Sequence, residues 1–202
     1  MLDFDVEPGE AIVAKAAVSS VDFAGARKNL ASDPEGFDFD ARRKDCVRAW
    51  DAVLSCAVAE GDDNAKRLFY TALYHAYVQP NLFSDVDGRC RFQDFGRYGK
   101  TVSRIHTATS TDVYTTLSTW DTYRAAHPLY TILTPKMAGA VAETMLEWCD
   151  EMGKMPKWQM FGGENYCMIG PHSITIVADA LIKGLLKSSP RRVFEAVEKT
   201  NR

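Results

Sequence analysis

Hydrophobic and polar positions change their spacing along the chain near residue 39. Upstream, the segment EAIVAKAAVSSVDF contains the β-branched residues Ile12, Val13, Val18 and Val21, a composition typical of one or two strands. Because an isolated strand pair is only marginally stable in water, this pattern predicts the edge of a sheet whose other strands lie elsewhere. The turn-rich stretch ASDPEGFDFD then predicts a linker.

From about residue 39 onward, apolar residues recur at helical spacing, and cap and breaker residues divide them into helices. The predicted helices begin at Asp40, at Asp62 or Asp63, near residue 111, at Pro135 after a Thr134 cap, at Pro171 and at Pro190. Four of them are expected to end at Pro80, near residue 126, at Gly153 and near Lys187. Two polar segments, residues 84–110 and KMPKWQMFGGENYCM, are predicted as long loops, the first with a small hairpin.

Composition and charge narrow the possible partners of this chain. A net charge of −3 with dispersed basic residues argues against nucleic acid. No apolar run approaches the roughly 18–20 residues of a membrane span, so no membrane partner is expected. The first ten residues lack the features of a signal peptide, which leaves the compartment unknown. Five cysteines without a CxxC pair predict free thiols, not disulfides or zinc ligands.

The stretch NLFSDVDGRC places Asp85 and Asp87 two positions apart beside Gly88. Side chains two apart on extended backbone share a face, which suits the recognition of sugar hydroxyls or a hard cation. An Asx-turn that closes on Gly88 explains the pattern equally well. An EF-hand is excluded because the third acid and the distal Glu are absent.

Two later stretches also carry candidate site residues. In STWDTYRAAHP, Trp120, Asp121 and Arg124 form either a sugar-stacking platform with polar groups or a surface ion pair beside a buried Trp. In GGENYCMIGPHS, glycines that allow close backbone approach surround Glu164 and His172, although such a histidine is more often a core or cap residue. No histidine has the partners of a Ser/His/Asp hydrolase at recognisable spacing.

Three stretches, taken together and in their order along the chain, resemble glycoside hydrolase family 92. They are FYTALYHAYVQPNLFSDVDGR, YTTLSTWDTYRAAHPLYTILTP and PKWQMFGGENYCMIGPHSITIVADALIKG. The upstream VSSVDFAGARKNL resembles the end of that family's N-terminal β-sandwich. The family comprises calcium-dependent, inverting exo-α-mannosidases with a sandwich followed by an (α/α)6 barrel. The resemblance thus implies a mainly α chain, in which residues 1–38 are the end of the sandwich and a linker, and residues 39–202 are the N-terminal half of the toroid.

The resemblance also implies which residues line a pocket for terminal mannose. It carries over Asp85, Asp87 and Gly88 from SDVDG, Trp120, Asp121, Thr122 and Arg124 from WDTYR, and Glu164, Cys167, Met168, Gly170 and His172 from the last motif. Of these, Asp85, Asp121 and Arg124 are expected to hold hydroxyls. The family usually has Asn where this chain has Gly163, which removes an amide from the pocket.

The family's general acid and general base lie in Gly-Asn-Glu-Pro and Asp-Asp-x-Gly motifs, and neither occurs in this chain. We therefore expect the chain alone to be inactive, with most Ca²⁺ ligands outside it and Glu164 acting in binding. Expected partners are an α-mannose glycan and either the remaining half of the barrel or a second copy. Two alternatives stay open: a non-catalytic carbohydrate-binding or assembly module, and another (α/α)6 sugar hydrolase that uses Asp85 and Glu164 as its acid and base.

Overall fold

A computed structural model describes residues 3–96, 101–109 and 112–202. These residues form eight helices and seven short strands. The helices are α1 (Phe23–Ser32), α2 (Phe39–Leu54), α3 (Asp63–Tyr77), α4 (Thr119–Thr122), α5 (Ala126–Leu133), α6 (Pro135–Met152), α7 (Ser173–Ile182) and α8 (Pro190–Asn201). The strands are β1 (Asn81–Leu82), β2 (Arg89–Asp94), β3 (Val102–Thr107), β4 (Tyr114–Thr115), β5 (Leu117–Ser118), β6 (Trp158–Met160) and β7 (Gly163–Glu164). The mainly α class is confirmed, whereas the toroid and the sandwich stay predictions.

The strands form one five-stranded sheet, in the order β3-β2-β7-β6-β5, and a separate pair, β1-β4. Strands β2 and β3 are an antiparallel hairpin that pairs Arg89 with Thr107 and Asp94 with Val102. Strand β7 lies parallel to β2, and its Glu164 is opposite Asp94. The other pairings within this sheet are antiparallel. The sheet therefore joins chain segments that are far apart in sequence.

Helix α6 is the centre of the molecule, because every residue from Ala138 to Cys149 is buried. It packs against α5, α7 and α8, with Val141, Met145 and Val177 fully inaccessible in the core. A second cluster, formed by Cys90, Phe92, Val113 and Trp148, joins the β2–β3 hairpin to the same helix. Nothing in the described part of the chain is a helix long and apolar enough to cross a membrane.

Several helix boundaries follow the sequence signals closely. Asp62 caps α3 through a hydrogen bond from the Ala65 N–H, and Ser189 caps α8 in the same way. Helix α6 begins at Pro135 and ends at Gly153, whose φ of 85° favours glycine. The Thr134 side chain, however, makes no capping bond to α6.

The predicted strands over residues 11–21 are wrong. The described structure has no strand there, because no second strand lies beside the segment to accept and donate backbone hydrogen bonds. Helix α1 follows instead, with Asp22 as its N-cap, at a place where no helix is predicted from the sequence.

Three other element predictions need correction. The helix expected over residues 111–126 is replaced, in the described part, by β4, β5 and α4, because Tyr114 and Leu117 pair with distant strands. The small hairpin predicted within residues 84–110 is confirmed as β2–β3 and needs no correction. Helix α2 is capped by Asp38 and not by Asp40, and α7 is shorter than predicted, ending at Ile182.

Candidate functional site

One edge of the five-stranded sheet gathers most of the predicted site residues. Strands β5, β7 and β2 end there, at Ser118, Glu164 and Asp94, and β6 begins there at Trp158. We call this the site edge. The chain turns at each of these points, so polar side chains from three distant segments converge.

Glu164 is the polar centre of the site edge, with only 4% of its surface exposed. Its carboxylate accepts hydrogen bonds from three backbone N–H groups: Lys157 at 2.7 Å, Trp158 at 3.0 Å and Tyr166 at 2.9 Å. Three N–H donors match an ionised carboxylate, which is acceptor-only. Glu164 therefore fixes the backbone on both sides of the β6–β7 turn.

The backbone that Glu164 holds also positions the WDTYR segment. The carbonyl of Lys157 accepts from the Thr119 hydroxyl at 2.6 Å and from the Thr119 N–H at 3.3 Å. Thr119 is the first residue of α4, so this contact places the helix at the site edge. The hydroxyl of Ser118 donates to the Asp121 carboxylate, which is otherwise on the exposed side of α4.

Stacked rings join WDTYR to the last motif. The rings of Tyr123 and His172 stack nearly parallel, with centroids 4.2 Å apart and an interplanar angle of 8°. Arg124 lies over Trp120 and over Tyr123, 5.2 Å from each ring centroid. A guanidinium at this range is attracted to the aromatic face. The result is an aromatic and cationic cluster formed from residues about fifty positions apart.

Gly170 is required for this stacking. Its φ is 77°, and a Cβ added there would lie 2.7 Å from the His172 Nε2. Any side chain at this position would push the His172 ring off Tyr123. Cys167, three residues earlier, is an exposed free thiol.

A cavity of about 430 Å³ opens beside the site edge. Its wall includes Asp94, Trp148, Lys157, Glu164 and Tyr166. The Tyr166 hydroxyl donates to the Asp94 carboxylate, which also accepts from the Gly96 N–H at 2.9 Å. The wall of this cavity thus combines an indole with a few polar groups, a composition found in ligand pockets.

The SDVDG turn lies at the other end of β2. Since β2 has six residues and rises by about 3.4 Å per residue, Asp85 is roughly 17 Å from the site edge. Asp85 is buried and accepts from the Ser19 hydroxyl at 2.6 Å and the Asn29 amide at 2.8 Å. Gly88, with φ of 80°, donates to the Asp85 carbonyl at 2.8 Å. The structure therefore does not bring this turn together with the other predicted site residues.

Asp87 is held by two cations. It pairs with Lys28 at 2.7 Å and with Arg89 at 3.0 Å. The hydrogen bond from Lys28, helped by those from Arg89, lowers the pKa of Asp87 to about 2. Neither carboxylate of the turn fits a calcium site, because calcium takes six to eight oxygen ligands and these oxygens already face N–H and O–H donors. Across the three described ranges, no group of three or more His, Cys, Asp or Glu residues is placed to hold a metal ion.

Sequence reasoning missed Tyr123, Lys157 and the Asp94–Tyr166 pair. Tyr123 lies inside a quoted motif, so its spacing three residues after Trp120 could have indicated a second aromatic on the same helical turn. Lys157 acts through its backbone, which carries no side-chain signal. Asp94 and Tyr166 meet only because β2 and β7 are parallel neighbours.

Comparisons with known proteins agree on one family. The model of the glycosyl hydrolase family 92 catalytic domain matches residues 25–202. A family GH92 alpha-mannosidase from Bacteroides thetaiotaomicron, BT3965, is 32% identical with a TM-score of 0.80 over 90% of this chain. The same protein has been solved in complex with mannoimidazole. A family GH92 inverting mannosidase, BT2199, from the same organism is 27% identical with a TM-score of 0.72 over 89% of the chain.

The chain spans about a quarter of the length of these solved structures, 24% in both cases. None of the curated proteins matches this chain.

Proposed function

This chain belongs to glycosyl hydrolase family 92, and from that premise we propose that it forms the mannose-binding part of a calcium-dependent, inverting exo-α-mannosidase. Its substrate would be terminal α-mannose on N-glycans or mannan. The names of the two similar solved structures, an alpha-mannosidase and an inverting mannosidase, support this choice of sugar and of stereochemical outcome.

The observation that carries the proposal is the stacking of Tyr123 on His172, which joins two motifs into one cluster. Beside it, the Trp120 indole offers an apolar face of the kind that packs against sugar C–H groups. Asp121 and Arg124, both exposed on the same turn, supply the acceptor and the donors for hydroxyl groups. We assign sugar binding to these residues, with Cys167 at the rim.

Glu164 has a different role in this proposal. Its oxygens are taken by three backbone N–H groups, so it acts on the sugar only through the backbone that it positions. For the same reason we assign Glu164 to binding and not to the role of general acid. Asp85, Asp87 and Gly88 remain predicted pocket residues from the sequence motif, but no contact in this structure supports that role.

The catalytic carboxyl pair of an inverting glycosidase is about 6.5–9.5 Å apart, with water between the groups. Asp85 and Glu164 are separated by the length of β2, roughly 17 Å, which argues against the alternative hydrolase that would use them as acid and base. We propose that the general acid, the general base and most of the calcium ligands are supplied from outside this chain. No catalytic step is therefore assigned to its residues.

Binding of methyl α-mannoside to the 202-residue chain tests the proposal directly. We expect saturable quenching or enhancement of tryptophan fluorescence, because Trp120 lies in the proposed pocket. Asp121→Ala should weaken the affinity about tenfold or more, since a hydrogen bond to a charged group contributes roughly 1.5–3 kcal/mol. Glu195→Ala, which removes an exposed carboxylate on α8, is the matched control and should bind normally.

Mannose release from α-mannobiose, measured in calcium and in EDTA, completes the test. A chain that is folded by circular dichroism and binds the mannoside without releasing mannose supports the division of roles. Calcium-dependent release would show that the acid and base are present after all. A folded chain with no affinity for methyl α-mannoside would contradict the assignment of the pocket.

A further inference from the structure

The turn that carries SDVDG contacts a segment more than fifty residues earlier in the chain. Asn29 on α1 is the centre of this contact. Its amide nitrogen donates to the Asp85 carboxylate and to the Val18 carbonyl, both at 2.8 Å, and its amide oxygen accepts from the Val86 N–H at 3.0 Å. The second oxygen of Asp85 accepts from the Ser19 hydroxyl at 2.6 Å. One buried carboxylate thus binds both ends of the earlier segment.

Charged groups surround this centre with complementary signs. Lys28 pairs with Asp87 at 2.7 Å, and Asp22 pairs with Arg89 at 3.2 Å. Arg91, two residues after Arg89 on β2, donates to the carbonyls of Ser20 at 2.9 Å and Val21 at 2.7 Å. These contacts satisfy backbone oxygens of a segment that has no strand partner.

Helix α1 also approaches the turn more closely than a side chain would allow. A Cβ on Gly25 would clash with the Asp85 Oδ2 and would lie 2.6 Å from the Ser19 hydroxyl. Glycine in a helix is normally unfavourable relative to alanine. Its presence here is explained by the close approach of the helix to the Asp85 carboxylate.

We infer that the Asp85–Arg91 turn is a docking surface for residues 18–29 of the same chain, with Asp85 as its anchor. This surface binds the segment through one buried carboxylate and two ion pairs, one with its cation on the segment and one with its cation on the turn. An arginine of the turn also donates hydrogen bonds to backbone carbonyls of the segment. The family match begins at residue 25, so residues 18–24 lie outside the matched range and are held against it here. The inference does not depend on the cluster of Trp120, Tyr123 and His172 that is proposed to bind sugar, which lies at the other end of β2.

Hydrogen–deuterium exchange of the full 202-residue chain tests the docking surface. In Asn29→Ala and Gly25→Ala, we expect exchange of the Phe23–Ser32 amides to accelerate at least tenfold, while amides of α6 stay unchanged. Both substitutions introduce the best helix former, so helix propensity alone would slow exchange in α1. The expected change therefore has the opposite sign to a purely local effect. Asp63→Asn, an exposed acid at the start of α3, is the control.

Asp85→Asn should accelerate exchange in the same segment, and combining it with Asn29→Ala should give less than the sum of the two effects, because both remove the hydrogen bond between these residues. If Asp85→Asn does not fold, the two α1 variants decide the outcome. Unchanged or slower exchange over Phe23–Ser32 in both α1 variants would overturn the inference. So would an Asp85→Asn protein that keeps α1 protected and loses methyl α-mannoside binding, since that result would place Asp85 in the sugar pocket.

Discussion

His106 shows how much a single side chain can connect in this molecule. Its Nε2 lies 2.8 Å from a Glu147 carboxylate oxygen and its Nδ1 lies 3.2 Å from one of Glu151. Its ring stacks on Phe92, with centroids 5.0 Å apart. Only the imidazolium has two N–H donors for two carboxylates. The protonated ring therefore joins the β2–β3 hairpin to α6.

The pKa values of this group agree with the geometry. Burial opposes the charge on His106, but its hydrogen bonds to Glu147 and Glu151 outweigh burial and raise its pKa above 6.5. Burial alone would raise the pKa of Glu147, but hydrogen bonds from His106 and Thr109 outweigh it and lower the pKa below 4.5. The two shifts stabilise the folded chain over different ranges of pH.

We predict that thermal stability is greatest in weakly acidic solution. The contribution of His106 is fully present below about pH 6.5 and is lost as pH rises through its raised pKa in the folded chain. That of Glu147 is present above about pH 4.5 and is lost as pH falls through its lowered pKa. Circular dichroism between pH 4 and about 10 measures the melting temperature. We expect it to fall on both the acidic and the alkaline side of this maximum.

A histidine substitution separates this effect from general alkaline unfolding. His106→Gln should lower the unfolding free energy by about 3–5 kcal/mol, because it leaves the buried Glu147 without its charge partner. The same substitution at the exposed His75 should have little effect. A variant that loses stability equally at pH 5 and about 9 would contradict a charged bridge.

At the scale of elements, the corner between α7 and α8 is held by a carboxylate from α6. Glu143, 1% exposed, accepts from the backbone N–H groups of Lys187 at 2.7 Å and Ser188 at 2.8 Å. It also accepts from the Ser188 hydroxyl at 2.5 Å and lies 3.4 Å from Arg192. One buried acid therefore fixes where α8 begins.

We predict that Glu143→Gln lowers the free energy of unfolding by about 1–3 kcal/mol. The amide retains one acceptor but loses the charge and presents an N–H₂ group to N–H donors, which leaves buried polar groups unsatisfied. Urea unfolding monitored by circular dichroism measures the loss. Glu195→Gln, on the exposed side of α8, is the control and should change stability by less than about 0.5 kcal/mol. Equal effects of the two substitutions would show that the corner does not depend on Glu143.

Helices with strong local signals could be predicted from the sequence, and elements that depend on distant partners could not. Asp62 and Ser189 mark boundaries by side-chain capping, and Pro135 and Gly153 mark them by their backbone conformation, so the sequence predicts α3, α6 and α8. Residues 114–118 lack such a signal, and their strands exist because Asn81 and Gln159 lie beside them.

The candidate site follows the same division. Motif order indicated Trp120, Asp121, Arg124 and His172, and the structure brings their segments together. It could not indicate that Asp85 faces Ser19 and Asn29, because that contact depends on how α1 docks. A motif identifies residues that recur together in the sequences of a family, whereas only the packing of the folded chain shows what each carboxylate contacts.

At the scale of the whole molecule, several helices present large apolar side chains to solvent. The most exposed on the helices α3, α5, α7 and α8 are Leu68 at 64%, Ile132 at 73%, Ile182 at 84% and Phe194 at 63%. Helices α5 and α7 pack against each other, and Lys183 donates to the Thr131 hydroxyl at 2.8 Å, so Ile132 and Ile182 lie on neighbouring surfaces. Apolar groups clustered in this way favour association.

We predict that the isolated 202-residue chain self-associates with increasing concentration. Association would remove these apolar side chains from water, which stabilises the associated state by roughly 25 cal/mol for each Å² of apolar surface buried. Sedimentation velocity should show the mean mass rising with concentration, and the double variant Ile132→Lys, Ile182→Lys should reduce the rise. Substitution of exposed Arg191 by Lys serves as control. A chain that sediments as a monomer at all concentrations would contradict the prediction.

The parallel pairing of β2 with β7 also sets an order of events during synthesis. Strand β3 follows β2 within the same hairpin, but Gly163, the partner of Gln93, emerges about 70 residues later. At a translation rate of about 5–20 residues per second, one edge of β2 waits roughly 4–14 s without its partner. Such an edge can pair with a neighbouring nascent chain. Residues 18–29 are synthesised before β2, so the contacts of Arg89 with Asp22 and of Arg91 with Ser20 can form while β2 still lacks β7.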